Sequence, residues 1–224
     1  MNRFAIALLA GVAGVSVMSS AFAADLIIDE PAPAVGIVST TGTWDGLFIV
    51  AFAGAGWGTV TDEDGYFAAI DTETDLTGWQ VGVTAGANFT VSEAIVAGIV
   101  GDIAWSDLSG DLAVDGSSYK VDWTGSIRGR LGFDGGAFLP YVTAGVAFAN
   151  ATVTDEGVPV YEDTQTHIGW TAGAGVEFAV ADNVSLDLQY RYTDYGTKDY
   201  NLNGTDYSFG LTSHAVTAGV NFRF

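Results

Sequence analysis

Apolar and polar residues alternate along most of this 224-residue chain. From residue 43 onward we find no convincing helical spacing of apolar residues, whereas six segments alternate clearly with a period of two and two more complete the set. A period of two is typical of β-strands whose faces meet different surroundings. The sequence therefore predicts eight strands, near residues 44–58, 79–89, 95–105, 119–133, 138–148, 168–180, 184–192 and 214–224.

The two faces of each predicted strand differ in chemistry. In the fourth strand the odd positions from Val121 to Phe133 are mostly apolar, and Asp122, Arg128 and Arg130 lie on the opposite face. Most of the other strands divide in the same way. The first strand is apolar on both faces, and there we expect four residues to point outward: Leu47, Ile49, Ala51 and Trp57.

Aromatic spacing separates the two architectures that eight such strands allow, a soluble sandwich with an apolar core and a membrane barrel with an apolar exterior. Three pairs of aromatic residues lie ten positions apart on an apolar face: Trp79 and Phe89, Trp123 and Phe133, and Phe138 and Phe148. A tilted strand of about 9–11 residues spans the hydrocarbon core of a bilayer, so each pair marks the two interfaces. These positions predict an all-β, eight-stranded antiparallel transmembrane barrel.

The predicted barrel carries an aromatic girdle at each rim. One girdle contains Trp57, Trp79, Trp105, Trp123, Phe148, Trp170 and Tyr192. The other contains Phe89, Phe133, Phe138, Phe178, Phe222 and Phe224. Short connections alternate with long polar ones, as in outer-membrane barrels with short periplasmic turns and longer extracellular loops. The long connections are expected near residues 60–76, 107–118, 151–166 and 195–211.

The start of the chain predicts a cleaved secretory signal peptide over residues 1–23. Arg3 is positive, residues 4–17 are apolar, and Ala21 and Ala23 form a cleavage site of small residues. Residues 24–42 then form a flexible periplasmic leader, and residues 43–224 form the barrel. The chain has no cysteine, which excludes disulfides and thiolate metal sites.

The chain is strongly acidic, with 27 acidic residues against 7 basic ones. This balance argues against binding to nucleic acid, which needs a basic surface. High acidity is also found in disordered chains, but those have little apolar content. Because 49% of the residues are hydrophobic and 12% are aromatic, we expect a folded protein.

The inward faces of the predicted strands hold most of the basic residues. The predicted charge network has four arginines and four acids, namely Arg128, Arg130, Arg191 and Arg223 with Asp102, Asp122, Glu177 and Asp187. An eight-stranded barrel is just wide enough inside to be filled by side chains, and a buried charge needs a partner. We therefore interpret the network as a structural plug, with an ion or proton path as the alternative. Glu177, Asp187 and Arg223 lie on consecutive strands and are expected to be neighbours near the periplasmic rim.

Other candidate sites carry less weight. The two histidines, His167 and His214, fall near the outer rim, but nothing places a serine beside either of them, so a hydrolase is not favoured. We predict no enzyme activity, cofactor or dedicated metal site. The long acidic loops are best interpreted as a solvated rim. The sharper hypothesis is that divalent cations bridge their carboxylates to the surrounding anionic lipopolysaccharide.

Four sequence blocks carry a resemblance to a known family: GDIAWSDLSG at 101–110, DWTGSIRGRLGF at 122–133, GWTAGAGVEFA at 169–179 and HAVTAGVNFRF at 214–224. The chain resembles the eight-stranded porin-like outer-membrane surface antigens of alphaproteobacteria, also called outer-membrane immunogenic proteins. The resemblance implies a Gram-negative outer-membrane location with both termini in the periplasm. It also implies insertion by the barrel-assembly machinery, which reads a terminal strand such as Val220, Phe222 and Phe224.

The chain departs from this family on its inward face. Val100 and Gln189 stand where the family tends to have glutamate. The first strand carries Phe48, Val50 and Phe52 where the family usually has small or polar residues. These changes put any shared ion path through the lumen in doubt.

The resemblance supplies no catalytic residues. It favours a structural barrel and surface antigen that supports envelope integrity, monomeric and in contact with outer-membrane lipid and lipopolysaccharide. The alternatives are a narrow, low-conductance pore for small solutes and an adhesin that acts through loops 60–76 and 151–166, for which no host ligand is predicted.

Overall fold

The computed structural model describes residues 44–65, 72–111, 117–155, 161–202 and 205–224. Eight antiparallel strands form a closed barrel in which each strand pairs with its neighbours in sequence and the last pairs with the first. The strands are β1 (Gly46–Asp62), β2 (Thr72–Ser92), β3 (Ile95–Asp111), β4 (Ser117–Phe133), β5 (Phe138–Asp155), β6 (Tyr161–Ala181), β7 (Val184–Leu202) and β8 (Thr205–Arg223). The predicted eight-stranded barrel is confirmed.

Two parts of the prediction concern residues that are not described. The signal peptide at 1–23 and the leader at 24–42 lie outside the described residues. Within the part of the chain that the structure describes, no helix is long and apolar enough to span a membrane.

The two ends of the barrel differ in their connections. At one end, which we call the short-turn end, only a few residues separate β2 from β3, β4 from β5, and β6 from β7. The first residue of β1, Gly46, also lies at this end, because it pairs with Asn88 close to the end of β2. The final residue, Phe224, lies beside it, because the Phe224 amide donates to the Leu47 carbonyl. The opposite end, which we call the long-loop end, has longer connections between β1 and β2, β3 and β4, and β5 and β6, whereas the connection between β7 and β8 is short.

The strands are longer at the long-loop end than the alternation pattern indicates. They contain 17 to 21 residues, and they extend into all four segments that we predicted as long loops. The predicted loop boundaries were therefore wrong. A membrane-spanning strand needs only about 9–11 residues, so each strand continues beyond one girdle. Outside a bilayer the outer face meets water, and the contrast between the two faces that marks a strand in the sequence is weakened.

The predicted outward face is the exposed face of the barrel. Leu47, Ile49 and Trp57 on β1 are exposed, as expected. Pairing across strands aligns the girdles, because Trp105 lies opposite Trp123 and Phe138 lies opposite Phe178. Every tryptophan and phenylalanine of the two girdles except Phe148 is at least 38% exposed, while Phe148 and Tyr192 are half-buried.

A β-bulge corrects one predicted face. Between Val121 and Trp123, β4 advances two residues while β5 advances one, so Asp122 is an extra residue in β4. The bulge reverses the parity of the strand beyond it. Val121 and Tyr119 are therefore buried inside the barrel, although we predicted Val121 to face outward. Similar irregularities occur near the same level in β3, after Trp105, and in β7, after Asp194.

Apolar side chains fill much of the barrel interior in three clusters. The cluster at the short-turn end contains Trp44, Val96 and Leu139. The middle cluster contains Phe48, Val50, Phe52, Val100 and Ala104. The cluster at the long-loop end, which we call the apolar cap, contains Val60, Leu76, Leu108, Tyr119, Val121, Ala147, Ala149, Ala151, Val153, Tyr195, Tyr200, Phe209 and Leu211. From the sequence we predicted a plug of charged residues only, and the apolar cap was not expected.

Inward-facing glycines leave room for the largest of these side chains. A Cβ atom at Gly175 would lie 2.5 Å from the Tyr141 hydroxyl, and one at Gly86 would lie 2.6 Å from the tip of the Phe48 ring. Glycine at these positions therefore allows a ring from a neighbouring strand to lie directly against the barrel wall.

This packing predicts that Gly175→Ala destabilises the barrel by about 1–3 kcal/mol, because the added methyl group overlaps Tyr141 and the Leu188 carbonyl oxygen at 2.7 Å. Gly129→Ala is the matched control, since the nearest atom to its Cβ is 3.9 Å away. Urea unfolding of the two variants in detergent measures the difference. Equal stabilities would contradict the close packing.

Candidate functional site: the charged lumen

Two buried carboxylates organise the charged part of the lumen. Asp102 on β3 and Glu177 on β6 both point inward, and neither side chain is accessible to solvent. Each binds two arginines from other strands, so each carboxylate ties together three parts of the wall. We call these groups the Asp102 centre and the Glu177 centre.

The Asp102 centre joins β3, β4 and β7. Arg128 Nη2 lies 2.8 Å from Asp102 Oδ2, and Arg191 Nη1 lies 2.9 Å from Asp102 Oδ1. The Ser126 hydroxyl also donates to Asp102 and accepts a bond from Arg128 Nε at 2.8 Å. Both carboxylate oxygens thus receive charge-assisted hydrogen bonds, which offset the cost of burying the charge.

The Glu177 centre joins β4, β6, β7 and β8 near the short-turn end. Arg130 Nη2 lies 2.6 Å from Glu177 Oε2, and Arg223 Nη2 lies 3.1 Å from Glu177 Oε1. Ser185 and Asn221 donate further hydrogen bonds to Glu177 Oε1. This carboxylate on β6 therefore accepts bonds from side chains on three other strands.

A polar bridge connects the two centres. The guanidinium of Arg130 stacks 3.8 Å from the centre of the Tyr141 ring. Gln189 Nε2 donates to the Tyr141 hydroxyl at 3.1 Å, and Gln189 Oε1 accepts from Arg128 Nη1 at 3.1 Å. The Tyr141 hydroxyl donates in turn to Asp187 Oδ2 at 2.6 Å. The two centres and the bridge form one connected network along the lumen.

Seven of the eight predicted network residues lie in this network, and Asp122 does not. Asp122 occupies the bulge of β4, and its side chain is 45% exposed, 3.9 Å from Lys120. The bulge places Asp122 closer to the long-loop end than the buried arginines. Our prediction that Asp122 belongs to the charge network was therefore wrong. Glu177 and Asp187 face each other on adjacent strands, and Arg223 binds Glu177, as expected for neighbours.

The partner of Asp187 was not expected. The hydrogen bond to this carboxylate comes from a neutral tyrosine, although we expected an arginine. Sequence reasoning also missed the uncharged members of the network, namely Ser126, Tyr141, Thr143, Ser185, Gln189 and Asn221. Their inward parity was the available indication, but parity does not name a partner.

The apolar cap contains one polar cluster of its own. His167 Nε2 lies 2.7 Å from the Tyr200 hydroxyl and 3.2 Å from the Tyr119 hydroxyl. All three side chains are fully buried, and they lie beyond the tryptophan girdle, outside the band between the two girdles. Burial lowers the pKa of His167 from 6.5 to about 4, because the interior disfavours the charged ring.

The short-turn end is closed by Trp44. Its indole Nε1 donates to Asp134 Oδ1 at 3.1 Å, and the Arg223 guanidinium lies 4.5 Å from the centre of its ring system. Trp44 precedes β1, so its buried ring covers the interior on the short-turn side of the Glu177 centre. Among the described residues, small cavities lie in the lumen between Trp44 and the apolar cap, and two of them measure ≈ 30 Å³ and ≈ 20 Å³. A cavity that holds one water needs about 10–15 Å³, so these hold a few small molecules at most.

The second histidine and the proposed assembly signal lie outside the charged lumen. His214 is on the outward face, where it stacks 5.5 Å from Trp57 and contacts the Tyr190 hydroxyl at 2.8 Å. Within the described ranges, no group of three or more potential ligand residues could hold a metal ion. Val220, Phe222 and Phe224 project from the outer face near the short-turn end of β8.

A family model described as the outer membrane protein beta-barrel domain matches residues 7–224. The chain belongs to this family. A 22 kDa outer membrane protein of Rhizobium leguminosarum bv. viciae is 36% identical over 84% of the chain and 81% of the relative. A 25 kDa outer-membrane immunogenic protein of Brucella abortus is 33% identical over 92% of each chain.

Solved structures support the fold. The chain is similar to Neisserial surface protein A, with a TM-score of 0.51 and 22% identity over 80% of this chain and all of that one. It is also similar to the outer membrane protein OprG of Pseudomonas aeruginosa, with a TM-score of 0.54 and 14% identity over 82% of this chain and 98% of that one. The predicted resemblance is confirmed. The chain is an outer-membrane β-barrel of the surface-antigen type, and its protein family is found in Gram-negative bacteria.

The Glu177 centre predicts a large effect of one conservative substitution. Glu177→Gln removes the buried negative charge that Arg130 and Arg223 both bind, so we expect a loss of about 3–5 kcal/mol in unfolding free energy. Glu93→Gln, in the exposed turn between β2 and β3, is the control and should change stability by less than about 0.5 kcal/mol. Urea titration in lipid vesicles measures both, and equal effects would show that the centre contributes nothing.

The buried histidine predicts sensitivity to acid. The pKa of His167 is lower in the folded barrel than in the unfolded chain, so the unfolded chain takes up a proton first as the pH falls. Stability should therefore decline between about pH 6.5 and pH 4 and be fully retained above that window. His167→Phe should remove this component of the pH dependence, whereas His214→Phe should not. An unchanged slope in His167→Phe would exclude His167 as its source.

Proposed function

We propose that this protein is a closed structural barrel of the outer membrane, which supports envelope integrity and presents its long-loop end as a surface antigen. The observation that carries the proposal is the filled lumen. The Asp102 and Glu177 centres cross-link the wall from inside, and the apolar cap covers them at one end while Trp44 covers them at the other.

The energetics of the lumen support a plug over a path. Opening a passage for solutes would separate arginines from carboxylates that have no contact with bulk water, and breaking a buried pair costs about 3–5 kcal/mol. An ion would also have to cross the apolar cap, whose aliphatic and aromatic side chains do not replace the ion's hydration shell. Both barriers lie in series along the barrel axis.

The orientation of the barrel is part of the proposal. Short turns are typical of the periplasmic side of outer-membrane barrels, so the short-turn end would face the periplasm, with both termini beside it. The exposed residues Val220, Phe222 and Phe224 would then be available to the barrel-assembly machinery at the end of β8. The strand extensions and the apolar cap would project from the cell surface.

The partners are also proposals. The exposed apolar band between the girdles would contact membrane lipid, and the acidic long-loop end would lie among the lipopolysaccharide headgroups, where divalent cations bridge like charges. No catalytic step is proposed. Among the described contacts, His167 is hydrogen-bonded to two tyrosines and His214 to one.

Planar bilayer recording tests the closed lumen. The purified protein should produce no stable ohmic steps, and Arg128→Ala should lower the melting temperature without opening a conductance, because the apolar cap remains in place. Heat-modifiable mobility in detergent gels is the control that shows that the inserted protein is folded. Stepwise current from the folded wild-type protein would overturn the proposal in favour of a narrow pore.

A further inference from the structure

The smaller of the two measured lumen cavities lies where the charged network meets the apolar cap. It has a volume of ≈ 20 Å³. Its lining includes Arg191 of the Asp102 centre together with Leu108 and Tyr195 of the apolar cap. The cavity is therefore enclosed by charged groups on one side and by apolar packing on the other.

Two side chains in the lining carry buried polar atoms that have no partner in the protein. Gln80 on β2 is 6% exposed, and Thr124 on β4 is 9% exposed. Neither Gln80 Nε2 nor Thr124 Oγ1 has a hydrogen-bond partner among the described protein atoms. Buried polar groups in folded proteins are nearly always hydrogen-bonded, because an unpaired group loses its hydration without replacement.

The neighbouring polar groups of the lining are already engaged. The Ser106 hydroxyl accepts a bond from a backbone amide at 3.2 Å, and the Thr193 hydroxyl lies 3.0 Å from the Thr171 hydroxyl. Arg191 Nη1 binds Asp102 Oδ1. Gln80 Nε2 and Thr124 Oγ1 are therefore the atoms that a ligand in the cavity would satisfy.

Size and charge define the class of that ligand. A cavity needs about 10–15 Å³ to hold one water molecule, so ≈ 20 Å³ admits one molecule of that size and excludes larger solutes. The Arg191 guanidinium in the lining disfavours a cation, and it already has an anion in Asp102. The ligand must therefore be small and uncharged, and it must accept a hydrogen bond from an amide.

We propose that this cavity binds one structural water molecule, which accepts a hydrogen bond from Gln80 Nε2 and is hydrogen-bonded to Thr124 Oγ1. The Asp102 centre, the Glu177 centre and the bridge take their side chains from β3 to β8. The water extends this network to β2, through Gln80. The inference goes beyond the closed-barrel proposal, since a closed lumen requires no water at this position.

Gly56→Ala tests the site by placing a methyl group in the cavity. Gly56 lines the cavity from β1, and a Cβ atom there would lie 3.4 Å from the His214 carbonyl oxygen and 3.6 Å from Leu108 Cδ1, which are ordinary contacts. The methyl group displaces the water and leaves Gln80 and Thr124 unpaired. We therefore expect Tm in detergent to fall by about 3–6 °C. In a dry cavity the same methyl group would fill empty space and raise Tm.

Gly101→Ala on β3 is the matched control. Gly101 pairs with the exposed Ile127 on the lipid-facing side, and the nearest atom to its Cβ is the Ser126 carbonyl oxygen at 3.7 Å. This variant makes the same change in the backbone away from the cavity, so Tm should not fall. A Gly56→Ala barrel that is as stable as the Gly101→Ala barrel would overturn the proposal.

A second background separates loss of the water from crowding. Gln80→Met together with Thr124→Val removes both unpaired polar atoms and keeps the side chains close to their original size. Adding Gly56→Ala to this background should cause no fall in Tm, because no polar atom loses a partner. A fall of the same size in this background and in the wild type would show that the methyl group acts by crowding, and the proposal would be wrong.

A direct observation does not depend on any variant. Crystals of the wild-type protein should show an ordered solvent peak within about 3.2 Å of both Gln80 Nε2 and Thr124 Oγ1. An empty cavity in maps that resolve water molecules on the barrel surface would overturn the proposal. The closed-lumen proposal would survive that result, since it depends on conductance.

Discussion

An arginine that points into a narrow closed barrel must bind a carboxylate from another strand, and this constraint organises the whole interior. Water cannot solvate the charge, and the guanidinium cannot lose its proton. Asp102 and Glu177 each satisfy two arginines, and each thereby joins strands that are not neighbours in the sheet. The sheet hydrogen bonds close the wall, and these carboxylates link its opposite sides.

The apolar clusters make the charged centres possible. The rings of Phe48 and Tyr141 occupy space left by Gly86 and Gly175, and they lie against the Arg130 guanidinium at 5.5 Å and 3.8 Å. Such packing excludes water and strengthens every ion pair that it surrounds. The interior is therefore a mixed core in which charged and apolar layers depend on each other, unlike the aqueous channel of a large porin.

The extension of the strands beyond the tryptophan girdle gives the long-loop end a core of its own. Tyr119, His167 and Tyr200 form hydrogen bonds inside a cluster of aliphatic and aromatic side chains. The long-loop end is therefore a folded edge with a packed interior as well as a set of loops. The apolar cap and the charged centres together fill much of the lumen with packed side chains.

The sequence alone determined the number of strands, the face that meets lipid and the inward position of seven network residues, because all three follow from local alternation and aromatic spacing. The bulge at Asp122 interrupts this alternation, and it is recognised only from the pairing of β4 with β5. Partner choice also belongs to the tertiary structure. Asp187 meets Tyr141, and Arg191 on β7 meets Asp102 on β3, because contacts across a lumen depend on strand tilt and register, which no single strand encodes.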